Sequence, residues 1–222
     1  MSNSSLISFT KISPSKNSPR NHKIDTITIH CFVGQASVET MGSYFAKKSV
    51  EASCNYCIGS DGRIGLIVEE KDRSWCSSNR DNDHRAITIE VACDTTHPYA
   101  VKDAAYKSLI NLCEDICRRN GIKKLLWKGD KSLIGQVDKQ NMTVHRWFKN
   151  KECPGEYLYS RHGEIAEEVN ERLSGKEKTS LEKDIDVLVK KGIINTPDYW
   201  LMMGENIKHL DTLLHNVAKA IK

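Results

Sequence analysis

The chain has 222 residues, 39% of them hydrophobic and 28% charged, with a formal net charge of +4 at pH 7. That is enough for one medium domain with a real core plus a small second one, and disorder is excluded as the default state. No run approaches the roughly 18–20 apolar residues of a membrane span, and no Lys/Arg block or RNP-type aromatic motif marks a nucleic-acid binder, so neither partner is expected.

The modest positive charge suits attraction to an anionic surface. Met1 to Arg20 is rich in Ser, Asn and Lys without an apolar stretch, so no secretory signal is expected there. Eight cysteines in a chain of this length, without such a signal, are expected to be reduced. Cys113 and Cys117, four apart in a helical pattern, read as small buried side chains. Cys54 and Cys57 also read as structural, on opposite faces of one strand.

In chain order, a first strand is predicted over Ile24–Cys31 from its β-branched near-alternation. A short helix is predicted over Val38–Lys47. Asn55–Gly59 and Arg63–Val68 flank Ser60-Asp61-Gly62, and an Asp-Gly between two apolar runs predicts a hairpin. After a polar loop, Ala86–Ala92 is a further strand. Leu109, Leu112, Cys113 and Ile116 form a helical stripe that ends at Arg118, Arg119 and Gly121. A loop-rich stretch over 121–144 contains Trp127, and a last helix of this part starts near Glu156. The order predicts an α/β fold, a mixed central β-sheet flanked by helices, over residues 1–174.

Residues 175–180 read as a polar linker, and 181–222 as a small all-helical module. Its first helix carries Leu181, Ile185, Leu188 and Val189 and stops at Gly192. Thr196-Pro197-Asp198 starts a second. Ile207, Leu210, Leu214, Val217 and Ile221 mark a third. Tyr199 and Trp200 are expected in the core of this module, which is small enough that docking or self-association would support it.

Three residues suggest chemistry. His30 closes the first strand, and His145 and Cys153 lie in Thr143-Val144-His145-Arg146-Trp147-Phe148-Lys149-Asn150-Lys151-Glu152-Cys153-Pro154-Gly155. Three N/S ligands would leave a tetrahedral position open, as in a catalytic zinc site. Each residue alone also fits an ordinary structural place, and spacing does not decide between these readings.

A histidine at a strand end followed by a distant His-x7-Cys-Pro-Gly resembles the N-acetylmuramoyl-L-alanine amidase type 2 family. That family shares its fold with peptidoglycan recognition proteins and includes phage endolysins. The resemblance runs from about Ile24 to Leu173. It is carried by Thr28-Ile29-His30, Ser53-Cys54-Asn55-Tyr56, Trp75, Thr88-Ile89-Glu90, and His145 to Gly155.

The resemblance implies Zn2+ bound by His30, His145 and Cys153, with bound water acidified towards neutrality. It implies Lys151 as the positive charge facing the oxyanion. It implies Glu90 as general base, with Tyr56 the second candidate for a catalytic role. Trp75 and Ser77 fall where relatives place a substrate-lining loop. Here that loop reads Ser74-Trp75-Cys76-Ser77-Ser78-Asn79, without the histidine many relatives have. The polar stretch Arg80–Arg85 is expected to be solvated.

The implied activity is hydrolysis of the amide between N-acetylmuramic acid and L-alanine in peptidoglycan, in an endolysin. An autolysin has the same architecture, and a non-catalytic peptidoglycan-binding module is the alternative. An endolysin would be made in the host cytoplasm and reach the wall after release. Gly192 to Leu201 resembles a module at the end of some clostridial and phage wall lytic enzymes, implying wall targeting or oligomerisation.

Overall fold

A computed structural model describes residues 2–175 and 179–221, as two units, Met1–Ser174 and Gly175–Lys222. Residues 176–178 of the expected linker lie outside the described residues.

In the first unit, two eight-residue strands, β3 (Thr26–Val33) and β7 (Ala86–Cys93), pair in parallel at the centre of a six-stranded sheet. The order is β1 (Phe9–Thr10), β5 (Ile64–Leu66), β4 (Tyr56–Ile58), β7, β3, β8 (Met142–Thr143). β4 runs parallel to β7 and antiparallel to β5, so the expected Asp-Gly hairpin is present within a mixed sheet. A small antiparallel ribbon joins β2 (Lys16–Asn17) to β6 (Arg73–Ser74).

The two central strands alternate in step, so each face of the sheet has its own chemistry. Ile27, Ile29, Ile87 and Ile89 share one face with Tyr56 and Ile58, in a core completed by α3 (Asp103–Asn120) and α5 (His162–Leu173). Each of these four isoleucines is fully buried, worth about 1.5–3 kcal/mol apiece. On the other face a smaller core of Met41, Phe45, Cys54, Cys57, Ile67 and Ala92 lies under α1 (Val38–Phe45). Cys54 and Cys57 therefore share one core. The strand begins only at Tyr56, so alternation does not separate the two thiols.

The rest of that face is polar. Thr28 and Thr143 meet hydroxyl to hydroxyl at 2.7 Å, and the Asn82 amide bonds both. Ser74 and Thr88 pair likewise at 2.7 Å. Asn82 belongs to a short helix, α2 (Arg80–Arg85), where a solvated loop was expected. Asn79 caps it by accepting from the Asn82 N–H at 2.9 Å, and Asn82, Asp83 and His84 are buried. Their hydrogen bonds to neighbouring loops drive this departure, since buried polar groups need partners. The helix expected from Glu156 is broken into α4 (Gly155–Ser160) and α5, because Arg161 adopts φ −96° and ψ 4°.

Tyr56 lies on the isoleucine face, and its hydroxyl donates to Glu70 at 2.6 Å while accepting from the Ser4 N–H at 2.9 Å. Glu70 is fully buried and bidentate with Arg119, at 2.6 and 2.9 Å. This network ties the N-terminal segment and the turn after β5 to the end of α3.

In the second unit α6 (Ser180–Lys190), α7 (Pro197–Asn206) and α8 (Leu210–Ala220) bury Ile185, Leu188, Leu214 and Ala218. Thr179 and Glu182 form a reciprocal capping box at the start of α6. A Cβ on Gly204 would come within 2.8 Å of Leu181, so glycine lets α7 approach α6. Trp200 packs against this core as expected, but Tyr199 is 49% exposed. Among the described residues no helix is long and apolar enough to cross a membrane.

Tyr56→Phe removes a donor to a buried carboxylate and the acceptor for a buried N–H. The expected result is a loss of about 1–3 kcal/mol in urea unfolding; an unchanged midpoint would show the network to be dispensable.

Candidate metal centre

The in-step pairing of β3 with β7 sets His30 opposite Glu90, and β4 sets Cys57 opposite Glu90 from the other side. Residues paired across parallel strands point to the same face, so His30 and Glu90 stand beside one another in the carboxyl-terminal halves of the strands, which continue to Val33 and Cys93. A crevice at that end is the usual ligand position of open α/β sheets. Thr28 and Thr88, one step earlier, form the polar floor beneath them.

His145 arrives through β8, whose Thr143 pairs with Thr28 of β3. Its Nε2 lies 2.9 Å from the Ser78 hydroxyl, and its ring meets that of His30 edge-on at 5.2 Å between centroids. Cys153 is tied to the same segment, because the Arg146 N–H donates to the Cys153 carbonyl at 3.2 Å. Gly155 shapes the following turn: its φ is +79°, and a Cβ there would fall 2.8 Å from the Cβ of Tyr99. The Tyr99 hydroxyl in turn donates to Glu152 at 2.7 Å.

The result is that one ligand atom each from His30, His145 and Cys153 lies within 4.8 Å of the others. Cys153 Sγ is 3.4 Å from His30 Nδ1. Zinc bond lengths of about 2.0 Å to nitrogen and 2.3 Å to sulfur at a tetrahedral angle require about 3.5 Å between two such ligands. The geometry and donor set thus fit a zinc-like ion.

Electrostatics agree. Burial, then the neighbouring His145 and His162, hold His30 well below the usual histidine range. Burial, then Lys151, lowers His145. Both rings are therefore neutral near pH 7, as ligands must be. Hydrogen bonds with Cys153 and Cys93 lower the Cys31 thiol, and the same contact raises Cys153. A cation among His30, His145 and Cys153 would oppose that rise by stabilising the Cys153 thiolate. Burial, then nearby Cys31, pushes Glu90 up to about 8, against a lowering hydrogen bond from Cys76.

Lys151 is exposed and close enough to His145 to affect its charge. Tyr56 does not join the group: its register partner is Ile89, and its hydroxyl is committed to Glu70 and Ser4 on the opposite face. Ser77 is fully buried, with its hydroxyl donating to Asp83 at 2.6 Å, so it braces the loop and offers no lining surface. Trp75 is half-buried, its indole N–H donating to Asn17 at 2.7 Å.

The residues that sequence reasoning passed over are Cys31, Cys76 and Ser78. A metal-ligating residue type, cysteine, in the Ser74–Asn79 loop was the available signal for Cys76. Two clefts of about 300 and 540 Å³ elsewhere on the surface include none of the residues of this cluster.

Residues 20–156 match the family described as N-acetylmuramoyl-L-alanine amidase (Amidase_2). Among solved structures, a selenomethionine derivative of AmpD is 16% identical, with a TM-score of 0.54 and coverage of 74% of this chain and 96% of that one. The amidase LysC from Clostridium intestinale URNW is 15% identical, with a TM-score of 0.48, over 72% and 97%. The catalytic domain of XlyA is also 15% identical, with a TM-score of 0.49 and the same coverage. At 16% identity the likeness to AmpD is one of fold. No curated protein matches the sequence. The family match spans more than half of the chain and takes in His30, Glu90, His145 and Cys153, so the chain belongs to the N-acetylmuramoyl-L-alanine amidase (Amidase_2) family.

Proposed function

We propose that the chain is a zinc-dependent peptidoglycan amidase of the endolysin type, cutting between the lactyl carbonyl of N-acetylmuramic acid and the L-alanine of the stem peptide. The observation that carries this reading is the His30–His145–Cys153 group with Glu90 beside it on the next strand. His30, His145 and Cys153 would hold the ion. When bound, zinc there supplies Lewis-acid polarisation of the scissile carbonyl and acidifies water for attack.

The protein's own groups do the rest. Glu90 accepts the proton from the attacking water and returns it to the leaving amine of L-alanine. Its raised pKa fits both halves of that role, and a cation next door lowers it towards neutrality. Lys151 places its ammonium near the carbonyl oxygen as negative charge develops. Ser78 fixes the orientation of the His145 ring through Nε2, leaving Nδ1 for the metal. Trp75 borders the loop beside the site and is proposed to contact substrate. Residues 181–222 form a separate module that targets the wall or mediates self-association. As an endolysin the protein acts on the wall after release from the host cytoplasm.

Mass spectrometry of purified peptidoglycan tests the whole reading. Stem peptides beginning at L-alanine should appear with the protein and vanish with a chelator. Intact wall in both samples, with the protein co-sedimenting, would instead make this a binding module.

Cys153→Ser is expected to lose tightly bound zinc by elemental analysis, and activity with it, while keeping the far-ultraviolet circular dichroism of the wild type. Full activity would remove Cys153 from the ligand set.

Glu90→Gln is expected to keep zinc and slow hydrolysis by roughly 10²–10⁴; an unchanged rate would move the base elsewhere. It also has a signature in metal-free protein. The folded pKa of Glu90, about 8, is above the unfolded value, so rising pH ionises the unfolded chain first and destabilises the fold. The variant's stability advantage should therefore grow between about pH 4.5 and about pH 8, then level off.

Deleting residues 176–222 should spare cleavage of soluble muropeptides and weaken action on intact walls. Equal losses on both substrates would make the module part of the catalytic fold.

A further inference from the structure

A second group of ligand atoms stands against the first. His30, Cys76 and Glu90 each offer one ligand atom, all within 4.8 Å of one another. Cys76 Sγ lies 3.8 Å from Glu90 Oε1. Zinc bonds of about 2.3 Å to sulfur and about 2.1 Å to a carboxylate, opened to a trigonal angle, span about the same distance.

Two atoms of this group are also buried without any hydrogen-bond partner, His30 Nε2 and Glu90 Oε2, and the His30 side chain is fully buried. Orphaned polar atoms are costly, and such groups in a folded protein call for an occupant that engages them. Nε2 is the nitrogen that His30 does not turn towards Cys153, since Nδ1 makes that contact. The carboxylate is also lined by sulfur: Cys57 is its register partner on β4, and Cys54 and Cys76 both lie near it. Soft thiolate ligands favour thiophilic ions over magnesium or calcium.

We propose that Cys76, Glu90 and His30 Nε2 form a second metal position, for a thiophilic divalent cation such as zinc or cadmium, and that filling it shuts hydrolysis off. The position shares His30 with the first ion and occupies the carboxylate of Glu90, so the proton acceptor is lost when the second ion binds. Binding releases the thiol proton of Cys76 and the ring proton of His30 to solvent, and no redox step is involved. This inference rests on the reading of His30 as a ligand of the first ion and of Glu90 as the base.

The test titrates metal-free full-length protein with zinc, and in parallel with cadmium. It follows bound metal by equilibrium dialysis with elemental analysis, thiolate-to-cadmium charge-transfer absorption, and release of stem peptides from purified peptidoglycan. Wild type should bind two ions, gain activity with the first and lose it with the second.

Cys76→Ser and Cys76→Ala should each keep the first ion and its activity, bind the second at least about tenfold more weakly, and escape inhibition. Two Cys76 variants guard against one that misfolds, and the retained first ion reports that the site is intact. A wild type that binds one ion only, or Cys76 variants inhibited like wild type, would overturn the second position and leave the amidase reading standing. Absence of stem-peptide release at every metal loading would overturn both.

Discussion

The parallel pairing of β3 with β7, residue for residue from Thr26 against Ala86 to Val33 against Cys93, is the constraint on which the site depends. Both strands alternate apolar and polar residues with the same phase, so pairing them in this register sorts the sheet into two faces. One is isoleucine against isoleucine under α3 and α5. The other is threonine against threonine, then histidine against glutamate. A one-residue slip of β3 would drive His30 and Thr28 into the apolar core and turn Ile27 and Ile29 towards the loops. The burial that stabilises the fold and the placement that creates the site are therefore one interaction.

Everything else is brought to that row from outside the two strands. β8 carries the second histidine because two residues of it pair with β3, and the threonine pair Thr28–Thr143 locks that short strand in register. Cys153 arrives on a turn that only glycine at 155 permits, held against Tyr99 and bonded back to Arg146. Asn82 and Asp83 fasten the loop over the polar face, which is why α2 is buried rather than solvated. A polar face of this kind is stable only while its groups are paired, and the hydroxyl and amide contacts beneath the site supply those pairs.

Strands β3, β4, β5 and β7, the hairpin and the long helix α3 were legible in the sequence, because alternation, Asp-Gly and helical spacing are local signals; β8 lay in a stretch read as loop, and the His/Cys ligand candidates came from the family resemblance. The misreadings all turn on which way a side chain faces. Tyr56 stands one residue from the position that faces Glu90, and that single step of parity sends its hydroxyl to Glu70 on the far side of the sheet. Ser77 has the composition of a groove residue but is consumed by Asp83, a partner that no local pattern announces. Cys54 and Cys57 were assigned opposite faces by treating both as strand residues, although the strand starts between them. Tyr199 and Trp200 are consecutive on α7 and so point about 100° apart, and only the tryptophan packs against the core.

The electrostatics explain why this face calls for a cation. Within a few ångströms it gathers two neutral imidazoles, a carboxyl group pushed up to about 8 and several thiols, one of which is already drawn towards the thiolate by its neighbours. A proton satisfies such a group incompletely, as the unpaired atoms of His30 and Glu90 show. A divalent ion would resolve the same conflict by charge and by geometry together: it would stabilise the Cys153 thiolate and lower the carboxyl group beside it. By this argument the acid–base poise of Glu90 is a property of the loaded site. The strand alone supplies only its position.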